Sequence, residues 1–233
     1  MTLSTTLKLL RSHGDPRNIV GMQRYGITAR KAYGVAAPHI RSIAKNIGIN
    51  HKLSLQLWST AIHEARILAS LIGDPERVTE RQMKRWVHAF DSWAVCDACC
   101  GCLFDKTPFA YRKAFEWCSA KEEFVKRAGF VMMAELAVHN KKAADAEFLR
   151  MLPAIKRGAT DGRNFVKKAV NWALRQIGKR NPALNKAAIR TAQEISEIDS
   201  PVARWVAADA LRELQSPAVK RRLLSRAVRS GMR

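Results

Sequence analysis

Apolar positions along the chain recur at intervals of three and four residues. In the stretch holding Phe124, Arg127, Ala128, Val131, Met132 and Leu136 this spacing marks one face of an α-helix. Hairpin signals are nearly absent: Asp161-Gly162 is the single Asp-Gly pair and no Asn-Gly occurs. The punctuation is helical as well. Six of the eight prolines follow a capping-type residue, in Asp15-Pro16, Asp74-Pro75, Thr107-Pro108, Asn181-Pro182, Ser200-Pro201 and Ser216-Pro217. A side-chain oxygen followed by proline is a helix start, because the first-turn N–H that proline lacks has no intrahelical partner anyway. These patterns predict an all-α chain.

Laid over one another, the helices show a weak internal repeat. Glu123-Phe124-Val125-Lys126-Arg127-Ala128 resembles Asn164-Phe165-Val166-Lys167-Lys168-Ala169, 41 residues on. Ser200-Pro201-Val202-Ala203-Arg204 fits more loosely another 36 residues on, and Glu64-Ala65-Arg66 offers an earlier copy. A period near 40 belongs to HEAT-like helical pairs. The expected architecture is therefore one HEAT-like repeat domain over residues 1–233, a curved α-α superhelix with a concave basic groove. Each copy holds a basic residue at one place, Arg66, Arg127, Lys168 and Arg204. Stacking would set these close to one line, suited to the phosphates of a duplex. The alternative is that each basic residue caps or bridges its own repeat.

Composition narrows the partner. The 233 residues include 41 Lys and Arg against 20 Asp and Glu, a formal charge of +21, while 47% of residues are apolar, enough for a packed core. Residues 1–50 carry a net +7, residues 51–150 only +2, and residues 151–233 +12. Two basic flanks around a nearly neutral centre point to a polyanion; a basic surface serving solubility alone is the competing account. No run of 18 apolar residues suggests a membrane span. The start, Met1 to Pro16, lacks the apolar segment of a secretory signal. Five cysteines do not read as a disulfide framework, so a reducing cytoplasmic setting is expected. Cys96, Cys99, Cys100 and Cys102 would splay around one helix, which argues for core residues rather than a metal site. Trp58, Trp86 and Trp117 read as core. The basic, amphipathic segment Lys220–Arg233 reads as a capping helix that adds phosphate contacts.

The candidate chemistry lies in the balanced centre. In Ser92-Trp93-Ala94-Val95-Cys96-Asp97, Trp93 and Asp97 are one helical turn apart on a shared face, and Val95 and Cys99 should turn toward the core. Spacing alone favours a core indole beside a capping or salt-bridged carboxylate. Trp93 and Asp97 together with Arg127 in Val125-Lys126-Arg127-Ala128, and Trp172 in Lys168-Ala169-Val170-Asn171-Trp172-Ala173-Leu174-Arg175, resemble the AlkD-type DNA glycosylases, HEAT-like repeat proteins that excise alkylated purines. Trp172 through Pro182 is the most specific stretch. The segment from Tyr25 through Gly34-Val35 to Pro38 also matches, with Tyr25 on a position lining the DNA groove.

This resemblance implies a function that suits the residues. The substrates would be cationic N3- and N7-alkylated purines in double-stranded DNA. Trp93 and Trp172 would contact the lesion-bearing nucleotide, their π-faces favouring positive charge on the sugar. Asp97 would stabilise an oxocarbenium-like sugar and position the attacking water, as carboxylates do in glycoside hydrolysis. Arg127 would clamp backbone phosphate. No metal or redox cofactor is needed, because a cationic base is already a good leaving group. A membrane partner is not expected, and the protein should be a monomer. One departure is Ala36, where active members carry Gln, which removes a polar contact to DNA. The alternative is a non-catalytic HEAT-like protein that recognises damaged or branched DNA; a protein-binding scaffold is the usual role of such solenoids.

Overall fold

The computed structural model describes the backbone of residues 1–231 and side chains through residue 225. Among the described residues fifteen α-helices follow one another and no strand occurs. They are α1 (Leu3–Ser12), α2 (Pro16–Arg24), α3 (Ala37–Ile47), α4 (His51–Ser59), α5 (His63–Ile72), α6 (Glu80–Val87), α7 (Trp93–Cys102), α8 (Ala110–Trp117), α9 (Glu123–His139), α10 (Asp145–Leu149), α11 (Leu152–Gly158), α12 (Asn164–Gly178), α13 (Pro182–Ser196), α14 (Pro201–Leu214) and α15 (Pro217–Gly231). Short 3-10 turns occupy Pro75–Arg77 and Phe104–Lys106. In the C-terminal segment, the side chains of Arg226, Arg229 and Arg233 lie outside the described residues.

Five of the six proline signals open a helical element at the proline itself. Asn181, for example, accepts from the Leu184 N–H at 2.9 Å through its side-chain oxygen. Thr107-Pro108 is the exception. The Thr107 hydroxyl donates to the Phe104 carbonyl at 2.8 Å, closing the preceding 3-10 turn, and α8 begins only at Ala110. That hydroxyl is turned back into the 3-10 turn and receives no N–H from α8.

The chain forms two compact units, Met1–Phe109 and Ala110–Arg233. In the first, α5 packs against α3, α4 and α7. Helices α4 and α6 meet through Trp58 and Trp86, whose rings stack 3.9 Å apart and nearly parallel, with Phe104 and Phe90 against them. Trp58, Trp86 and, in the second unit, Trp117 are thus core residues. Two layers result, α3–α5–α7 and α4–α6.

In the second unit α9, α12 and α14 form one layer, with α11 and α13 behind them and α8 against α9. The apolar stripe expected on α9 widens to nearly the whole circumference, Val125 and Ala128–Ala134 all being buried, because this helix has neighbours on several sides. At Gly129 the backbones of α8 and α9 approach so closely that a Cβ would lie 2.2 Å from the Cys118 nitrogen.

The repeat is visible as polar links across about one period. Phe124 and Phe165, first aligned by sequence, stack at 5.7 Å. The Arg127 guanidinium donates to the Phe165 carbonyl, Asn171 to Asp209, Arg175 to Glu213 and Lys156 to Glu194, each 38 residues apart. At the corner preceding α12, Asp161 accepts from Arg163 (2.6 Å) and Lys126 (3.0 Å), while Arg163 also donates to the Lys121 carbonyl (2.6 Å). Hydrogen bonds from Arg163, aided by Lys126, outweigh burial and hold the Asp161 carboxyl well below the usual carboxylate range.

A depressed carboxylate pKa contributes stability that is present above its unfolded value and lost as pH falls through the folded value. Asp161→Asn should therefore lower unfolding free energy by about 2 kcal/mol near neutrality. In urea titrations the gap to the parent protein should stay constant from about pH 8 to 5 and close only below about pH 4.

Candidate nucleic-acid interface

Helix α7 opens at Ser92, whose hydroxyl accepts from the Val95 N–H at 3.4 Å. With that start, Val95, Cys96, Cys99 and Cys100 are fully buried, while Trp93 and Asp97 are half-buried on the other side. The division between core and outer face is the one that helical spacing predicts. The cysteines divide accordingly. Burial pushes the Cys99 and Cys100 thiols well up, so neither supplies the thiolate that metal binding or nucleophilic attack requires. Among the described residues no group of three His, Cys, Asp or Glu is placed to hold a metal ion.

The Trp93 indole is oriented by a bond that local sequence does not reveal. Its Nε1–H donates to the Tyr25 carbonyl at 3.0 Å, 68 residues away. Tyr25 caps the C-terminus of α2, where helix carbonyls lack intrahelical partners, and its side chain is 73% exposed. Trp93, Asp97 and Tyr25 are thus all in the first unit, with Trp93 fixed against the Tyr25 backbone and the phenol turned to solvent.

Beside them, the segment matching Gly34-Val35-Ala36 is organised by a buried carboxylate. Glu64, only 1% exposed, accepts from the backbone N–H groups of Tyr33 (2.9 Å), Gly34 (2.7 Å) and Val35 (3.2 Å). Gly34 has φ +76°, and a Cβ there would lie 2.1 Å from the Asp15 carbonyl oxygen, so only glycine fits. Ala36 follows as an exposed residue at the start of α3, without a side-chain capping bond. Sequence comparison of repeats singled out Glu64 only as a neighbour of Arg66; its partners are 29–31 residues away.

The four basic residues expected in one row have two different fates. The Arg66 side chain is 12% exposed, donates to the Ala89 carbonyl (3.0 Å) and Asp91 (3.2 Å), and lies 5.0 Å from the centre of the Trp58 ring. Arg127 is 6% exposed and donates to the Phe165 carbonyl at 2.5 Å, joining α9 to α12. Both follow the alternative in which the cation bridges its own repeats. Lys168 is exposed on α12, one turn from the half-buried Trp172. Arg204 is exposed on α14 and pairs with Asp199 at 3.2 Å.

Counting from helix starts also moves the register. Asp97, Arg127 and Lys168 are each the fifth residue of their helices, but the fifth residue of α14 is Trp205, and Arg204 comes one earlier. One residue is about 100° of helix rotation, so Arg204 turns off the shared position and Trp205 takes it. Trp205 was missed by matching charges. It is 41% exposed, with the Lys167 ammonium 5.0 Å from its ring centre. Arg66, Trp93 and Asp97 are on the α3–α5–α7 layer of the first unit, and Arg127, Lys168, Trp172, Arg204 and Trp205 on the α9–α12–α14 layer of the second.

Comparisons with known proteins bear on the family and the fold. The family model of the DNA alkylation repair enzymes matches residues 6–217. An uncharacterized protein of Listeria innocua is 22% identical over 196 residues, covering 83% of this chain and 80% of that protein. Among solved structures, one from a new family of proteins related to the HEAT-like repeat DNA glycosylases, with affinity for branched DNA structures, superposes with a TM-score of 0.76. Its identity is 20%, over 92% of this chain and 96% of that one. The fold is accordingly the HEAT-like repeat.

Two substitutions test the supports of this layer. Glu64→Gln sets amide donors against backbone donors and should cost about 3 kcal/mol in denaturant unfolding. Arg127→Ala should lower the thermal midpoint by about 5–10 °C. An unchanged midpoint with weakened, less salt-dependent DNA binding would instead make Arg127 a phosphate contact.

Proposed function

The chain belongs to the DNA alkylation repair enzyme family, and from that premise we propose that it is a monofunctional DNA glycosylase acting on cationic N3- or N7-alkylated purines in duplex DNA. The observation that carries the proposal is the half-buried Trp93–Asp97 pair on α7, its indole held by the Tyr25 carbonyl. A carboxylate on this face is a counter-charge for a sugar that becomes positive as the base departs. The indole favours the same charge through its π-face, and its fixed orientation removes part of the entropic cost of lining up the pair.

The reaction needs no group beyond water and the protein. The glycosidic C1′–N bond breaks with its electron pair going to the cationic purine, which leaves neutral. Water adds to C1′, and its surplus proton passes to Asp97 or to solvent, leaving an abasic site. Phosphates of the duplex would be held by exposed cations such as Lys168 and Arg204, with Trp172 and Trp205 as apolar or stacking contacts on the same layer of the second unit. The charge of +21 makes that grip strongly salt-dependent.

A second reading has its own support. The solved relative with affinity for branched DNA and the exposed Ala36 in place of the glutamine of active members favour a protein that binds damaged or branched DNA without hydrolysis.

Incubation with a duplex carrying N7-methylguanine, followed by alkaline cleavage, separates the two. The glycosylase reading expects abasic product, reduced about 100-fold or more by Asp97→Asn. Trp93→Phe, which keeps a π-face but loses the bond to Tyr25, should cost about tenfold. Release no faster than the spontaneous rate, with intact binding to branched DNA, overturns the glycosylase reading in favour of the second.

A further inference from the structure

The α4–α6 layer of the first unit, which carries none of the residues proposed to act on DNA, holds a cleft of about 410 Å³ between α4, the Pro75–Arg77 turn and α6. Its polar lining consists of His51, Arg77, Thr79, Arg81, Gln82 and Arg85, with no carboxylate. Arg77, Arg81 and Arg85 recur every four residues, and Arg81 and Arg85 stack on one face of α6. Like charges at this spacing destabilise an isolated helix, and no ion pair among the described residues engages any of the three.

Gln82 supplies an independent observation. It is 6% exposed, and its side-chain Nε2 is buried without a hydrogen-bond partner. A buried amide donor left unmade costs about 1–3 kcal/mol, so the position calls for an acceptor. Thr79 and His51 already have partners. The Thr79 hydroxyl accepts from the Gln82 backbone N–H at 3.1 Å. His51, 7% exposed, accepts at Nδ1 from the Asp74 N–H at 3.4 Å. Burial, aided by Arg77, holds its imidazole below the usual value and so neutral. Three guanidinium groups and an unmade amide donor thus line one cleft whose lining holds no carboxylate, although Asp74, Glu76 and Glu80 belong to the turn and the helix start that border it.

We propose that this cleft is a phosphoryl-binding site, separate from the Trp93–Asp97 face, with Arg81 and Arg85 gripping the oxygens and the Gln82 amide donating from the floor. The phosphoryl group could come from a nucleic-acid strand that does not run along α7, or from free phosphate or a small phosphorylated molecule. Arginine suits either source, because its fork matches two phosphate oxygens at once. The proposal is independent of the glycosylase reading.

The test follows the Gln82 side-chain amide and the backbone amides of α6 by NMR in the full chain. Inorganic phosphate is titrated first, then a short 5′-phosphorylated duplex. Saturable shifts with millimolar phosphate are expected, with affinity falling about tenfold in the exposed double variant Arg81→Gln/Arg85→Gln. Gln82→Leu, close in size but without the donor, should weaken phosphate binding in the same direction. If the duplex displaces phosphate and the double variant lowers the salt slope of duplex binding by about one, the source is nucleic acid. Phosphate binding with unchanged duplex binding identifies the free or small-molecule source. Absence of any phosphate-dependent shift at Gln82 and α6, or identical shifts in both variants, overturns the proposal.

Discussion

A HEAT-like pair of helices is too small to cover its own apolar face, and must be completed by the next pair along the chain. In this protein the joint between repeats is not only apolar. In the second unit Arg127 reaches the Phe165 carbonyl, Asn171 reaches Asp209 and Arg175 reaches Glu213, each across 38 residues. A buried charge-assisted bond stabilises only when its geometry is right, so these links set register as well as adhesion. Helix α12, which carries Lys168 and Trp172, is held on one side by Arg127 and on the other by the Asp209 and Glu213 carboxylates. The face that carries Lys168 and Trp172 thus depends on cations that are engaged within the fold.

The first unit solves the corresponding problem with carboxylate and carbonyl acceptors. Glu64 gathers three backbone donors into one turn, and the Tyr25 carbonyl receives the Trp93 indole. Both join segments far apart in sequence to the layer containing α5 and α7. Trp93 is therefore a fixed ring rather than a freely rotating one, and Asp97, one turn on, shares its orientation through the helix. Preorganisation of this kind is what electrostatic catalysis by a carboxylate requires, since a group already in place does not reorganise as charge develops.

The two layers of the first unit also have different electrostatic characters. On the layer with α7, the candidate chemistry is a carboxylate beside an aromatic ring, and Arg66 is neutralised by Asp91. On the layer with α4 and α6, three arginines line one cleft with no carboxylate among them. The basic character of the chain is thus partly assigned. Some cations are struts within the fold, some lie exposed on the faces of α12 and α14, and some converge on a separate cleft.

What sequence alone determined is what short-range spacing encodes. The all-α class follows from apolar periodicity, five helical starts from oxygen-proline pairs, and the common face of Trp93 and Asp97 from their separation by one turn. Those relations lie within a few residues, where backbone geometry dictates who is neighbour to whom. The repeat was also legible, but its register slipped by one at α14, because matching Arg204 to Lys168 by charge concealed Trp205 at the equivalent position. The missed Thr107 start has the same origin, since a hydroxyl can bond forward or backward. Only tertiary structure decided which cations were buried, which carbonyl oriented the indole, which amides Glu64 would hold and that the Gln82 Nε2 would lack a partner. Each depends on an atom about 20 to 70 residues away, brought near by helix packing, and a side chain's exposure is set by that neighbour rather than by its own place in the helical period.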